Sequence, residues 1–397
     1  MATPRLNFLL FIIVVSQFAS TSLWFSGNAI LPDLEQDWGL APEALGHITM
    51  AVQIGFIAGT LSFAVLTLAD RYSPRAIYLI CCLGGALVSA STVLIDESLS
   101  LFLANRFLVG FLLAGIYPVG MKIASGWFKQ DLGLALGFMI GALVLGTASP
   151  HLVRAMGQSW DWQTVIISVA ILAAFGGVLM AAFVPDGPYL KQGSKFDFSA
   201  VGKVFSSAKF RSSSFGYFGH MWEIFAAWAF FPVLLVGYVA TRPELTISIS
   251  LWTFILIGVG AVGCVIGGVL VRRFGSARVA TFQLFGSLIG CLISPLMFLA
   301  PQEIFLPFLI VWSILISGDS PQYSTLNAQF APPELVGCAL AVANAIGYMI
   351  SIVSVQLINH MIEPMGIQYV FLLLVPGPLF GLWAMWPLVK KQDKRAE

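Results

Sequence analysis

Ala69-Asp70-Arg71-Tyr72-Ser73-Pro74-Arg75 is a short charged break between two long apolar runs, and Val271-Arg272-Arg273-Phe274-Gly275-Ser276-Ala277-Arg278 echoes it 202 residues later. Apolar stretches of about 20 residues, long enough to cross a hydrocarbon core, recur on both sides of each break. They give twelve spans, at 6–31, 44–69, 75–95, 100–122, 132–155, 163–184, 213–240, 248–271, 279–300, 304–327, 335–359 and 367–389. The composition agrees: of 397 residues, 58% are hydrophobic and 10% charged, too few charges to cover a soluble surface of that size. That excludes a soluble enzyme and a disordered chain. A net charge of +1 without a basic patch excludes a nucleic-acid binder. An all-α integral membrane protein, solvated by the lipid bilayer, is expected.

Leu6 to Ala19 looks like the core of a signal peptide, but the apolar character runs on through Trp24, Phe25 and Ile30, so an uncleaved first span is expected. The five cysteines lie in apolar runs without metal-ligand spacing and read as packing residues. One connection is long. Residues 185–212 carry Lys191, Lys195, Lys203, Lys209 and Arg211 and divide the chain into an N-terminal six-helix bundle (1–184), a cytoplasmic linker (185–212) and a C-terminal six-helix bundle with a short cytoplasmic tail (213–397). With the N-terminus inside, seventeen of the twenty basic residues fall in cytoplasmic segments; Arg154 and Arg242 fall outside and Arg106 within a span. The external turns collect acids, among them Asp33, Glu35, Asp37, Asp96 and Asp161. This bias predicts both termini in the cytoplasm and a multi-pass protein of the plasma (inner) membrane.

The two halves repeat. Besides the charged breaks, Gly115-Ile116-Tyr117-Pro118 in span 4 matches Gly318-Asp319-Ser320-Pro321 in span 10, Gly133 matches Gly337, and Trp24 matches Trp228, at offsets of 203, 204 and 204. Four matches in one order at nearly one offset point to a duplicated six-helix unit. With these features the chain resembles the major facilitator superfamily over essentially its whole length. Asp70, Arg71 and Arg75 match the family's signature after span 2, although Leu66 and Ser73 replace its two glycines and Pro74 a basic residue. The copy after span 8 keeps Gly268, Arg273, Gly275 and Arg278, with Arg272 in place of the aspartate. Arg106, Gly110 and Gly115 match the signature of span 4. The resemblance implies two pseudo-repeated six-helix bundles, the major facilitator fold, rocking around a cavity lined by spans 1, 4, 7 and 10. It also implies that Asp70, against a neighbouring helix start, latches the outward-facing state and that Arg106 takes part in proton coupling.

An ionisable side chain inside a bilayer usually faces protein or a water-filled cavity. Arg106 in span 4, Glu223 in span 7 and Asp319 in span 10 stand out, and the resemblance places all three spans around the cavity. At 1.5 Å per residue, Glu223 falls about 15 Å from the cytoplasmic end of its span, near the midplane. Arg106 falls about 9 Å, and Asp319 about 23 Å, from the external end, so those two are not expected to be direct partners. Tyr217, His220 and Glu223 recur every three residues. A carboxylate and an imidazole so placed can load and release a proton, or simply bridge helices. Ser317-Gly318-Asp319-Ser320-Pro321-Gln322 interrupts an apolar span, and with Pro118 in the matching stretch predicts a pair of bends. Gln17, Thr21, Trp24 and Asn28 fall on one face of span 1 and are candidates to orient a substrate. Gly55 and Gly59, and Gly263, Gly267 and Gly268, are expected to allow close helix contact at the moving interface.

A transporter of a small solute by alternating access, coupled to protons, fits these residues, with import and efflux equally open. One arginine against two carboxylates favours a neutral, zwitterionic or cationic solute over a dianion. Transition-metal uptake through His220, Met221 and Glu223 is an alternative, weakened because span 8 has neither His nor Met. A receptor or scaffold on the same fold is another, weakened by buried charges it has no reason to retain. No P-loop, zinc-protease or nucleophile-elbow motif is present, so no enzyme activity and no cofactor are expected, and a monomer is.

Overall fold

A computed structural model describes residues 4–128, 132–157, 159–190, 200–332 and 335–393. Among them are twelve helical spans long and apolar enough to cross a membrane. Lys191 and Lys195 of the expected linker lie outside the described residues. The chain divides into two compact units, Met1–Phe196 and Asp197–Glu397. The first contains α1 (Pro4–Thr21), α2 (Ser26–Trp38), α3 (Ala44–Val65), the single turn α4 (Leu68–Arg71), α5 (Pro74–Ala90), α6 (Leu99–Leu113), α7 (Tyr117–Trp127), α8 (Leu132–Met156) and α9 (Trp162–Phe183). The second contains the short α10 (Ala200–Ser206), then α11 (Ala208–Ala240), α12 (Ile249–Phe274), α13 (Ser276–Phe298), α14 (Gln302–Gly318), α15 (Ser320–Phe330), α16 (Val336–Met365) and α17 (Pro376–Asp393).

The helices overrun the apolar stretches because a helix satisfies its own backbone and needs no apolar residue to continue. Asp33, Glu35 and Asp37 therefore ride on the last turns of α2 and not in a turn; Gly39, at φ +62°, supplies the left-handed cap that ends it. Lys209 and Arg211 likewise stand on the first turn of α11, whose start is capped where Ser207 Oγ accepts from Phe210 N. Asp161 caps α9 by accepting from Thr164 N at 2.9 Å, and that bond holds its carboxyl below the usual aspartate range.

Spans 1, 4 and 10 are each broken into two α-helices of ten residues or more. In span 1, Thr21, Ser22 and Ser26 each donate back to a carbonyl three or four residues earlier, and the chain turns between α1 and α2. In span 4 the chain breaks at 114–116 ahead of Pro118, and in span 10 at Asp319 ahead of Pro321, the expected pair of bends.

The packing repeats more plainly than the sequence. In the first unit α3 packs on α6, α5 on α9, and α1 on both α8 and α9. In the second α12 packs on α14, α13 on α17, and α11 on both α16 and α17. Counted as spans, 2 meets 4, 3 meets 6, and 1 meets 5 and 6; then 8 meets 10, 9 meets 12, and 7 meets 11 and 12. A side chain at Gly59 would run into Phe111 O of α6, and one at Gly263 into Ile314 O of α14. Gly55 abuts Phe107 O and Gly110 abuts Val52 O in the same way. These glycines lie within each bundle, between its own helices. Gly268 has nothing within 4 Å of where a side chain would begin.

Arg154 and Arg242, the two bases expected outside the cytoplasmic segments, are both tied down. Arg154 pairs with Asp33 Oδ1 at 2.6 Å and donates to Gly157 O and Trp160 O. Arg242 donates to Phe298 O at 3.0 Å and lies 3.9 Å above the Tyr238 ring.

Candidate functional site

In the second unit the break between α14 and α15 leaves Asp319 fully buried. His220 of α11 reaches it: Nδ1 stands 2.8 Å from Asp319 Oδ1, while Nε2 stands 2.8 Å from Ser320 Oγ. The imidazole thus bridges two successive residues of the break, flanked by Tyr217 and Tyr323 with ring centroids 6.2 and 5.7 Å away. Glu223, also fully buried, turns to α13, where Ser287 Oγ donates to Oε2 at 2.7 Å and Cys291 Sγ lies 3.9 Å off. Glu223 Oε1, Asp319 Oδ2 and both amide atoms of Gln322 have no hydrogen-bond partner among the described residues. Glu223 and Asp319 are near enough to interact electrostatically.

The expected pairing of His220 with Glu223 gives way to His220 with Asp319. Residues three apart on a helix diverge by about 60°, enough to send one side chain to α15 and the other to α13. Met221 packs against Gly347 of α16, away from His220's partners, which weakens a metal cluster on α11. Buried carboxylates joined to an imidazole and hydroxyls can hold a proton and hand it on.

In the first unit Arg106 is fully buried and bonded to neutral oxygens: Ser26 Oγ at 2.6 Å, Asn105 Oδ1 at 2.9 Å and Ser89 Oγ at 3.3 Å. It has no carboxylate partner among the described residues, and a side chain at Gly27 would strike its stem. Two of these three partners have other bonds. Ser26 keeps a bond to Leu23 O, and Asn105 keeps bonds to Val88 O, Ser91 and Thr92. The guanidinium is a permanent charge that cannot carry a proton away.

The candidate stripe on span 1 is interrupted by the turn at 22–25, so its four residues do not share one continuous helical face. Thr21 is spent on its own helix, donating to Gln17 O at 2.8 Å. Trp24 packs at a 60° tilt against Phe56, ring centroids 4.9 Å apart, and Asn28 donates to Thr49 Oγ1 at 2.8 Å. Gln17 lies against Gly120 with neither amide atom partnered among the described residues. At the charged break, Asp70 is ion-paired to Lys122 of α7, which also donates to Ala69 O. Arg71 and Arg273 are exposed, the latter over its neighbour Phe274, while Arg75 and Arg278 are half-buried. Sequence reasoning missed Ser287, Cys291, Ser26, Ser89 and Lys122. Asn105, adjacent to Arg106 and polar in an apolar run, was the one visible signal.

The family model described as Major Facilitator Superfamily matches residues 10–355. NiaP of Bacillus subtilis (strain 168), named for niacin/nicotinamide transport, is 28% identical over 161 residues, 40% of this chain and 39% of that protein. The 4-hydroxybenzoate transporter PcaK of Pseudomonas putida is 26% identical over 162 residues, 40% of this chain and 35% of that one. The match thus spans about two fifths of the length of these curated relatives. Among solved structures, the proton:xylose symporter XylE of E. coli superposes with a TM-score of 0.73 at 14% identity, covering 96% of each chain, a likeness of fold. These are names of transporters and not of enzymes, and twelve apolar spans make this a multi-pass membrane protein. The chain belongs to the Major Facilitator Superfamily.

Proposed function

We propose that the protein is a secondary transporter that moves a small solute by alternating access of its two bundles and couples that movement to protons. The observation that carries the reading is the buried contact of His220 with Asp319 at the break of span 10, with Glu223 one turn along α11 and a free oxygen on each carboxylate among the described residues. A structural tie has no use for carboxylate oxygens left without partners, whereas a site that takes up and releases protons does. In this reading Glu223, His220 and Asp319 form the proton path. Arg106, Tyr217 and the amide of Gln17, unpartnered among the described residues, are the groups offered to the solute, while Thr21, Trp24 and Asn28 hold the turn of span 1 in place. Asp70, held by Lys122, together with Arg71, Arg75, Arg273 and Arg278, governs closure at the cytoplasmic end. The chain works as a monomer in the inner membrane, with both termini and the 185–212 linker in the cytoplasm.

The relatives' names make niacin and 4-hydroxybenzoate the first solutes to try, followed by counterflow with a pooled metabolite library. In proteoliposomes, Glu223→Gln keeps the shape of the side chain but removes its titration. It should abolish accumulation driven by a pH gradient while sparing solute exchange, which needs no net proton movement. If Glu223→Gln accumulates solute like the parent and Asp319→Asn does too, proton coupling through this cluster is overturned.

A further inference from the structure

Between the first turns of α11 and the last turns of α17 lies a groove of about 550 Å³ that the transport reading does not use. Its floor is the contact where Ser212 Oγ donates to Ala384 O, beside Pro387, which has no amide hydrogen and leaves the local helix ladder incomplete. Its walls are aromatic, Phe215, Trp383 and Trp386, with Phe380 beside them, its ring tilted 5.7 Å from Phe215 and 5.9 Å from Trp383. Trp383 and Trp386 are 71% and 66% exposed, large apolar surfaces turned outwards from the bundle. At the mouth stands Arg211, with one terminal nitrogen fixed on Phe205 O and Ser206 O, both at 2.8 Å. Its remaining donors have no partner among the described residues. Trp383, Trp386, Pro387 and Lys390 recur at i, i+3, i+4 and i+7, so a second exposed cation closes the same stripe.

We propose that this groove binds one anionic phospholipid, with the headgroup phosphate on Arg211 and Lys390 and an acyl chain along Phe215, Phe380 and Trp383. The charge order fits this occupant. Both cations stand at one end, and the aromatic wall begins about 6 Å deeper, one helical turn in. Tryptophan favours that depth, where its ring lies in the acyl boundary and its N–H meets the headgroups. Basic pockets between spans take anionic headgroups by the same logic, and a guanidinium held by carbonyls on one side is preorganised for phosphate on the other.

Native mass spectrometry of the full chain, titrated with phosphatidylglycerol or phosphatidylcholine of matched acyl chains, tests this. The parent should retain one phosphatidylglycerol with about thirtyfold preference, the scale of two interfacial bases. Arg211→Gln/Lys390→Gln should bring the ratio towards parity, whereas Lys203→Gln/Arg272→Gln, which removes two exposed bases elsewhere, should keep it. Equal retention of both lipids by the parent, or equal loss in the control pair, overturns the site. A second measurement does not depend on the charge variants folding. In vesicles, phosphatidylglycerol with brominated acyl chains should quench the parent's tryptophan fluorescence more than brominated phosphatidylcholine, and Trp383→Phe/Trp386→Phe should remove the difference. Equal quenching by the two lipids in the parent also overturns the proposal.

Discussion

The two bundles share a skeleton and differ in what they bury. Spans 2 and 4 meet through Gly59 against Phe111 O, and spans 8 and 10 through Gly263 against Ile314 O, at positions 204 and 203 residues apart. Inside that skeleton the first unit buries a fixed cation, Arg106, among hydroxyls and an amide, and separately the imidazole of His151 against Phe25. The second holds two carboxylates and an imidazole. Duplication has kept the contacts made by backbone and let the polar side chains diverge. Helix placement depends on the absence of side chains at a few points, whereas charge depends on which side chains fill the rest.

The largest expected effect breaks the shared skeleton. Gly59→Leu and Gly263→Leu each drive a side chain into a carbonyl that cannot rotate away, so each should reach or exceed the about 3 kcal/mol upper range of overpacking and leave little folded protein. Size-exclusion and thermal unfolding of both variants in detergent check this. A loss in only one would show that the two contacts are not equivalent.

A smaller effect on stability, with a large one on activity, is expected at Arg106. Ser26 and Asn105 keep other bonds, a hydroxyl such as Ser89 Oγ can turn back to a carbonyl of its own helix, and the buried cation lacks a carboxylate among the described residues. Arg106→Leu should therefore stay within about 1 kcal/mol of the parent, or gain, because exchanging a buried charge for an apolar group is often neutral or stabilising. Transport should be lost all the same. A variant that unfolds would make Arg106 structural, and one that transports normally would empty the first bundle of its proposed role.

The smallest effect separates two helix caps. Asp161 accepts from Thr164 N in the first unit and Ser248 from Leu251 N in the second. The Asp161 carboxyl lies below its usual value in the folded chain, so its contribution is full above the ordinary aspartate range and fades as pH falls through the folded value. Asp161→Ala should lower the thermal midpoint at neutral pH and cease to matter in acid. Ser248→Ala should lose about 1 kcal/mol at both. Identical pH profiles for the two variants would remove the distinction.

The spans and their duplication were legible in the sequence because hydropathy is a local property, and a 20-residue apolar run has few other fates. The ends were less so: Asp33, Glu35 and Asp37 look like turn residues, yet α2 runs on until Gly39. The turn at 22–25 was written in Thr21, Ser22 and Ser26, but hydroxyls donate back to helix carbonyls without breaking a helix as often as they break one. At the site, buried charge picked out Arg106, Glu223 and Asp319. What spacing along one helix does not encode is the rotation that sends His220 to Asp319 and Glu223 to Ser287. Those partners come from spans 9 and 10 and are set by packing. Lys122, which holds Asp70, was hidden for the same reason.

The glycines between spans 2 and 4 and between spans 8 and 10 carry a consequence for the gene. Any missense change at such a codon adds at least a methyl group, and the carbonyl opposite leaves no room for even that. Elsewhere in the bundles a leucine can drift through methionine or isoleucine by steps of less than about 1.5 kcal/mol. At Gly55, Gly59, Gly110 and Gly263 there is no intermediate step, so drift must go around these positions.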